Sequence, residues 1–398
     1  MKALQGIRML DLTHMLSGPY AGMMLADLGV ETIKVEPPEQ GEGTRRLLAN
    51  DPVNSIDGMG AYFMTLNRNK KSVTLNLKSE KGLELFYELV KESDIVLSNF
   101  SAGVTTKLKI DFEHLSQINP RIVTCSISGF GETGPGANRP AFDMVAQAMG
   151  GGMSITGIPG GPPIRAGIPI GDLGGGVMGV IGILTALLAR QTTGKGQHVD
   201  ISMQDAQISL LNYMATMHFL SGEVPDKLGN AHFVHVPYNT FPARDGYIII
   251  AVITDGFWEN LMNLLDLPEL NTAENAGQPG RWKNQELINA RLSEVFQTNT
   301  QSYWIDQLRE ARIPCAPVYD FEQALRDVQV ESRNMVVEVC HPNGTTFKTT
   351  GNPIKLSDTN EDSYSPPPLL GQHTDDILKN LLGKSDAELA SLRQEGVL

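Results

Sequence analysis

The sequence predicts a doubly wound α/β protein with a large parallel-sheet domain and a smaller α+β domain, on three observations. Buried strand-like runs ("IRMLDLT", "VETIKVE", "KSVTLNLK", "DIVLSNF", "RIVTCSIS") recur through the first third of the chain. Helical runs separate several of them, "GPYAGMMLADLG" and "EKGLELFYELVKES" being the clearest. Strands alternating with helices build a parallel sheet covered on both faces. Finally, 398 residues exceed what one hydrophobic core usually organises, so a second domain is expected.

Residues 7–36 read as one β-α-β unit, with Gly29 closing its helix. The next strand, helix and strand repeat the pattern. From residue 150 to 176 glycine and proline dominate, which predicts a long irregular segment, and long loops inside compact enzymes are usually functional. A helix is expected over residues 176–190, then the strand "HVDISM" and the amphipathic "QDAQISLLNYMATMHFLSG".

Composition shifts near Glu223, where "YNTFPARDGYIIIAV", "DGFWENLMNLLDL" and "QELINARLSEVFQT" read as the smaller unit. "VVEVCHPNGTTFKTT" reads as a hairpin with Asn343-Gly344 at its turn, and a last helix follows "GQHTDDIL". The expected division is residues 1–205 for the first part of the large domain and 206–222 for a linker helix. Residues 223–325 then form the small domain, and 326–398 are a return segment completing the large one.

A formal net charge of -13 and a pI near 5.1 argue against nucleic-acid binding, which needs a basic face. The apolar segment at residues 177–188 is short and glycine-interrupted, so no membrane partner is expected. The opening "MKALQGIRMLDLTH" lacks the apolar stretch of a signal peptide, and the expected location is the cytoplasm. Cys125, Cys315 and Cys340 lack metal spacing and read as reduced, buried thiols. The histidines show no metal-binding pattern either, so no metal site is expected.

"GFGETG" at residues 129–134 matches the dinucleotide fingerprint GxGxxG after a strand, but the following "PGANRPA" cannot open the phosphate-binding helix that motif requires. "TGKG" lacks P-loop spacing, and no GxSxG elbow is present. Asp172, in "PIGDLGGGVMGVIG", stands out instead. Read locally, it is most simply a helix N-cap, because Asp is among the best capping residues. The alternative is a nucleophile toward an activated acyl group, or an acid/base. Gly174, Gly175 and Gly176 would let a substrate approach the backbone, and their N–H groups are the expected oxyanion donors.

"IRMLDLTHMLSGPYAGMMLADLGVETIKVEPPEQGEGTR", "FDMVAQAMGG", "GDLGGG" with "GILTALLARQTTGKGQHVDISMQDA", and "PPPLLGQHTDDIL" together resemble the class III CoA-transferase family. Its members include formyl-CoA transferase, carnitine CoA-transferase and α-methylacyl-CoA racemase. The resemblance covers essentially the whole chain. It implies an interlaced homodimer, Asp172 as nucleophile, and coenzyme A or acyl-CoA as substrate with no tightly bound cofactor. CoA contacts carried over by position are Leu16, Ser17, Leu75, Lys78, Asn99, Phe100, Ser101 and Lys107. Phe142 and Asp143, in the segment from Pro140, would line the pantetheine end.

Many relatives carry an Arg where this chain has Pro37, and Arg45, Arg46 or Lys107 are the candidates to replace it. Racemases of the family have a His where this chain has Phe142, which cannot shuttle a proton, so transfer is favoured over racemisation. A non-catalytic CoA-binding protein is the other alternative. Arg165 could pair with a second carboxylate of the acid substrate or tie the long loop together. Tyr238, in "GNAHFVHVPYN", would approach the partner chain's active site. The expected reaction moves CoA from an acyl-CoA to a small carboxylic acid, short-chain or dicarboxylic.

Overall fold

A computed structural model describes residues 2–359 and 363–398. The chain divides into two compact units. The first holds residues 1–152, 165–220 and 329–398, and the second holds 153–164 and 221–328. Residues 153–164 thus join the second unit, although the sequence reading keeps them with the first.

The first unit is built on six strands: β1 (Arg8–Asp11), β2 (Glu31–Glu36), β3 (Lys70–Thr74), β4 (Ile95–Ser98), β5 (Val123–Ser128) and β6 (His198–Ser202). They lie in the order β3-β2-β1-β4-β5-β6, and every pair is parallel. This doubly wound order reverses between β1 and β4, the switch point beyond which ligands bind in such sheets. Side chains alternate across the pleat. Leu10, Ile33, Val73 and Val96 face one apolar core, and Met9, Ile95, Leu97 and Val123 face the other. The return segment closes the first of these cores with Ile377, Leu378, Leu389 and Val397. It is fastened to β3 where the His373 N–H donates to the Ser72 carbonyl at 2.9 Å.

The greatest departure from the sequence reading lies at the glycine run. The irregular segment stops at Pro169, and one helix spans Ile170–Thr193. Glycine ordinarily weakens a helix, but here its missing side chain permits close packing. A Cβ on Gly176 would stand 2.7 Å from the Ser17 carbonyl oxygen in the helix Ser17–Asp27, and one on Gly179 would stand 2.8 Å from Ile127 of β5. This helix is long and apolar enough to cross a membrane, yet the face bearing Gly175, Gly176, Gly179 and Ile183 is buried against the sheet.

In the second unit, strands Tyr238–Ala243, Gly246–Ala251 and Cys315–Pro317 form an antiparallel sheet. It packs with helices Asp255–Leu265, Gln285–Phe296 and Gln301–Glu310 around Trp258, Phe241 and Phe296. Back in the first unit, the hairpin Val336–Cys340 with Thr346–Thr350 forms as its Asn-Gly turn predicts. All three cysteines are free thiols, but Cys340 is exposed on that hairpin rather than buried.

Candidate active site

The loops leaving β1 and β4 are fixed by buried polar contacts. Asp11 accepts from the Thr13 N–H at 2.9 Å and from Lys70 Nζ at 2.8 Å, and Lys34 Nζ donates to the Thr13 carbonyl at 2.9 Å. Burial opposes the Asp11 charge, but Lys70 and Lys34 outweigh it and hold the carboxyl at about 2. The Asn99 amide then ties the two loops together, accepting from the His14 N–H at 2.8 Å and donating to its carbonyl at 2.7 Å. Met15 is held at φ 60, a strained conformation for a residue with a side chain.

Two hollows open beside these loops. A cleft of about 820 Å³ is lined by Leu75, Lys78, Arg46 and the 36–43 segment, a size suited to a cofactor-scale ligand. A cavity of about 230 Å³ is lined by Leu16, Ser17, Asn99, Ser101, Phe142 and Asp172. His14 and Phe100, their rings 4.9 Å apart, line both. Residues distant in sequence therefore meet at the switch point, and Asp172 stands among them.

Asp172 is not the cap of its helix. It occupies the third position, Pro169 precedes the first turn without a capping side chain, and the capping oxygen comes from Asp143. Asp143 Oδ1 accepts from the Gly171 N–H at 2.8 Å and the Asp172 N–H at 3.3 Å, while its Oδ2 accepts from Gln147 at 2.8 Å. Among the described residues, nothing donates a hydrogen bond to the Asp172 carboxylate. Burial, and secondly the Asp143 charge, push its pKa up to about 6. Such a carboxyl is largely ionised at neutral pH and a stronger base than an ordinary one. Tyr62, on the cavity wall, is raised by burial and by Asp172, so its phenol keeps its proton.

Several expected roles move. The first-turn N–H groups go to Ile168, Asp143 and Pro169, and those of Gly174 and Gly175 lie deeper within the helix, so the glycine run has no free donors for an oxyanion. Asp143 caps the helix and does not line the cavity. Arg45 is consumed by buried Glu36, in a two-pronged pair at 2.6 Å, and packs over the Phe63 ring at 4.0 Å. Of the candidates to replace the missing Arg, Arg46 lines the cleft, whereas Lys107 is exposed and lines neither hollow. Arg165 is exposed and also lines neither. Tyr238 belongs to the second unit, its ring 5.1 Å from that of His232. The sequence reading missed His14, Tyr62, Ser128 and Arg139, all of which line the Asp172 cavity.

The family model described as CoA-transferase family III matches residues 4–374. The chain belongs to CoA-transferase family III. It is 38% identical over 386 residues to the succinyl-CoA:mesaconate CoA-transferase of Haloarcula marismortui, covering 95% of this chain and 96% of that one. It is also 38% identical over 421 aligned positions to the formyl-CoA:oxalate CoA-transferase of Streptomyces avermitilis, covering 100% of both. A solved CAIB/BAIF family protein from Brucella suis superposes with a TM-score of 0.84 at 36% identity, covering 96% of this chain and 99% of that chain. This family III CoA-transferase therefore has a whole-chain likeness to its relatives, consistent with the doubly wound sheet. "GFGETG" in it leads into irregular chain as far as Phe142, with no helix behind it to receive a dinucleotide phosphate.

Proposed function

We propose that this CoA-transferase moves CoA from an acyl-CoA to a free carboxylic acid through a covalent intermediate on Asp172. The observation that carries the reading is a half-buried carboxylate, without a hydrogen-bond donor, in a cavity walled by the loops after β1 and β4. A carboxylate oxygen of Asp172 attacks the thioester carbonyl, the C–S bond breaks, and an aspartyl anhydride and CoA thiolate result. The thiolate attacks the Asp172 carbonyl, releasing the donor acid and leaving an aspartyl-CoA thioester. The acceptor carboxylate attacks that thioester and expels the thiolate, which then takes the acceptor's acyl group and frees Asp172. The cycle begins and ends with one thioester and one free carboxylate, the anhydrides being higher-energy intermediates, so it balances without a further co-reactant.

The hydroxyls of Ser17 and Tyr62, both on the cavity wall, are among the donors that could meet the developing oxyanions. In this reading the larger cleft takes the CoA nucleotide, with Lys78 and Arg46 toward its phosphates. Phe142 has no titratable group, which favours transfer over racemisation. The active assembly is a homodimer, a reading supported by apolar side chains exposed in one chain: Ile181, Leu188, Phe219 and Leu220 are 53 to 84% exposed.

Intact-protein mass after incubation with acetyl-CoA or succinyl-CoA tests the mechanism. A CoA-sized addition that maps to Asp172 and vanishes in Asp172→Ala is expected. CoA binding with no adduct from either donor counts against it.

A further inference from the structure

The Asp172 cavity holds a second charge that its nucleophile does not account for. Arg139 lines it, and no other Arg or Lys does. The guanidinium lies over the Phe130 ring at 5.0 Å and reaches the Met149 sulfur at 3.6 Å, but among the described residues it has no carboxylate partner. Arg139 is exposed, so water solvates its charge until a ligand binds; the buried Arg68 and Arg190, and the largely buried Arg45, are instead each paired with a carboxylate. A second observation points the same way. Ser128, only 8% exposed, lines the same cavity at the end of β5, and its buried hydroxyl has no hydrogen-bond partner among the described residues. Most buried hydroxyls find a partner, so an unpaired one on a cavity wall is a donor open to water or to a ligand's oxygen.

We propose that Arg139 and Ser128 bind the second carboxylate of a dicarboxylic acid whose first carboxylate reacts at Asp172. The inference rests on the CoA-transfer reading and gives Arg139 the role that the sequence offered to Arg165. A planar guanidinium held over an aromatic ring presents paired N–H donors in the geometry of a carboxylate. Among the described residues, Asp172 and Arg139 are the cavity's only Asp, Glu, Arg or Lys side chains, so a diacid meets one reactive and one binding group within a single small space. The CoA phosphates have Lys78 and Arg46 in the separate cleft, which Arg139 does not line.

The full-length enzyme is loaded with a donor acyl-CoA, freed of donor acid by desalting, and mixed with acceptor in single turnover. Succinate, glutarate, oxalate and mesaconate are compared with butyrate and pentanoate. The wild type is expected to favour the best diacid over the monoacid of equal length. Arg139→Gln should lower the second-order rate for that diacid roughly 10- to 100-fold, mainly through weaker binding, and collapse the diacid preference toward one. Arg139→Lys should restore part of the preference, and Ser128→Ala should reduce it less. A preference unmoved by Arg139→Gln, an equal loss on diacid and monoacid, or a wild type that takes the monoacid as readily overturns the assignment. A wild type that never loads CoA on Asp172 brings down the transfer reading itself, a result visible before any acceptor is added.

Discussion

The Asp143 carboxylate accepts hydrogen bonds from the N–H groups of Gly171 and Asp172, at 2.8 and 3.3 Å, so the charge that caps the helix stands beside the charge proposed to react. The helix start needs an anion, since its first N–H groups have no partner within the helix. Supplying that anion from another helix leaves the Asp172 side chain free to point into the cavity. It also raises the Asp172 pKa, after burial has already done so.

Asp143→Asn separates these two effects. Asparagine keeps an oxygen for the cap but loses the charge, so the Asp172 pKa should fall. In the wild type the rate of CoA-adduct formation should rise with pH through about 6 as the carboxylate ionises. In Asp143→Asn that limb should move to lower pH, and Asp143→Ala should in addition lose about 1 kcal/mol of stability with the cap. A limb that stays in place in Asp143→Asn would show that burial alone sets it.

Lys78 and Arg46 should bear on acyl-CoA affinity, whereas Arg45 should bear on folding. Lys78→Ala or Arg46→Ala should raise the KM for acyl-CoA by roughly 5- to 20-fold through a lost phosphate contact, with kcat little changed. Arg45→Ala leaves Glu36, whose side chain is fully buried, without its paired guanidinium, though still with the Ser72 hydroxyl and the nearby Lys34 charge, and should cost about 2–4 kcal/mol in urea unfolding. An Arg45 variant as stable as the wild type but weak in CoA binding would reverse this assignment.

What could be read in the sequence followed from periodicity. Met9 and Leu10, or Ile95 and Val96, alternate between two cores, and such runs separated by helices dictate a parallel sheet. The glycine run signals a loop locally, and it is the approach of Ser17 and Ile127 that explains its place in a helix. Likewise, the cap on the Asp172 helix lies 28 residues upstream, at Asp143, beyond the reach of any local capping motif. Arg45 and Arg139 are alike as letters. The difference is tertiary: Glu36 neutralises one, whereas the other is exposed and, among the described residues, its guanidinium meets an aromatic ring and a thioether.

Gly176 and Gly174 offer a paired test of that packing. A Cβ on Gly176 meets the Ser17 carbonyl oxygen at 2.7 Å, whereas one on Gly174 finds its nearest atoms at 3.5 Å, an ordinary contact. Gly174→Ala should therefore stabilise the helix by up to about 1 kcal/mol from propensity. Gly176→Ala should instead destabilise by about 1–3 kcal/mol and, by displacing Ser17, slow adduct formation. Denaturant midpoints for the two variants decide the matter; equal shifts would mean the helices can part without cost.

Asp172 should also be a source of instability. Its folded pKa of about 6 lies above the ordinary 3.8 expected for the unfolded chain, so the folded state favours the protonated form. The stability this group contributes is complete below 3.8 and is lost as the pH rises through 6. Asp172→Asn removes the charge without emptying the site, and should unfold about 1–3 kcal/mol later than the wild type at pH 7.5, after allowance for partial exposure. At pH 3 the two should coincide, provided both still unfold reversibly there. The same variant should form no CoA adduct, so one substitution would raise stability and abolish the chemistry, as expected where a site holds a charge the fold would rather not bury. An Asp172→Asn protein no more stable than the wild type at pH 7.5 would mean that the carboxylate is better solvated than its surroundings indicate.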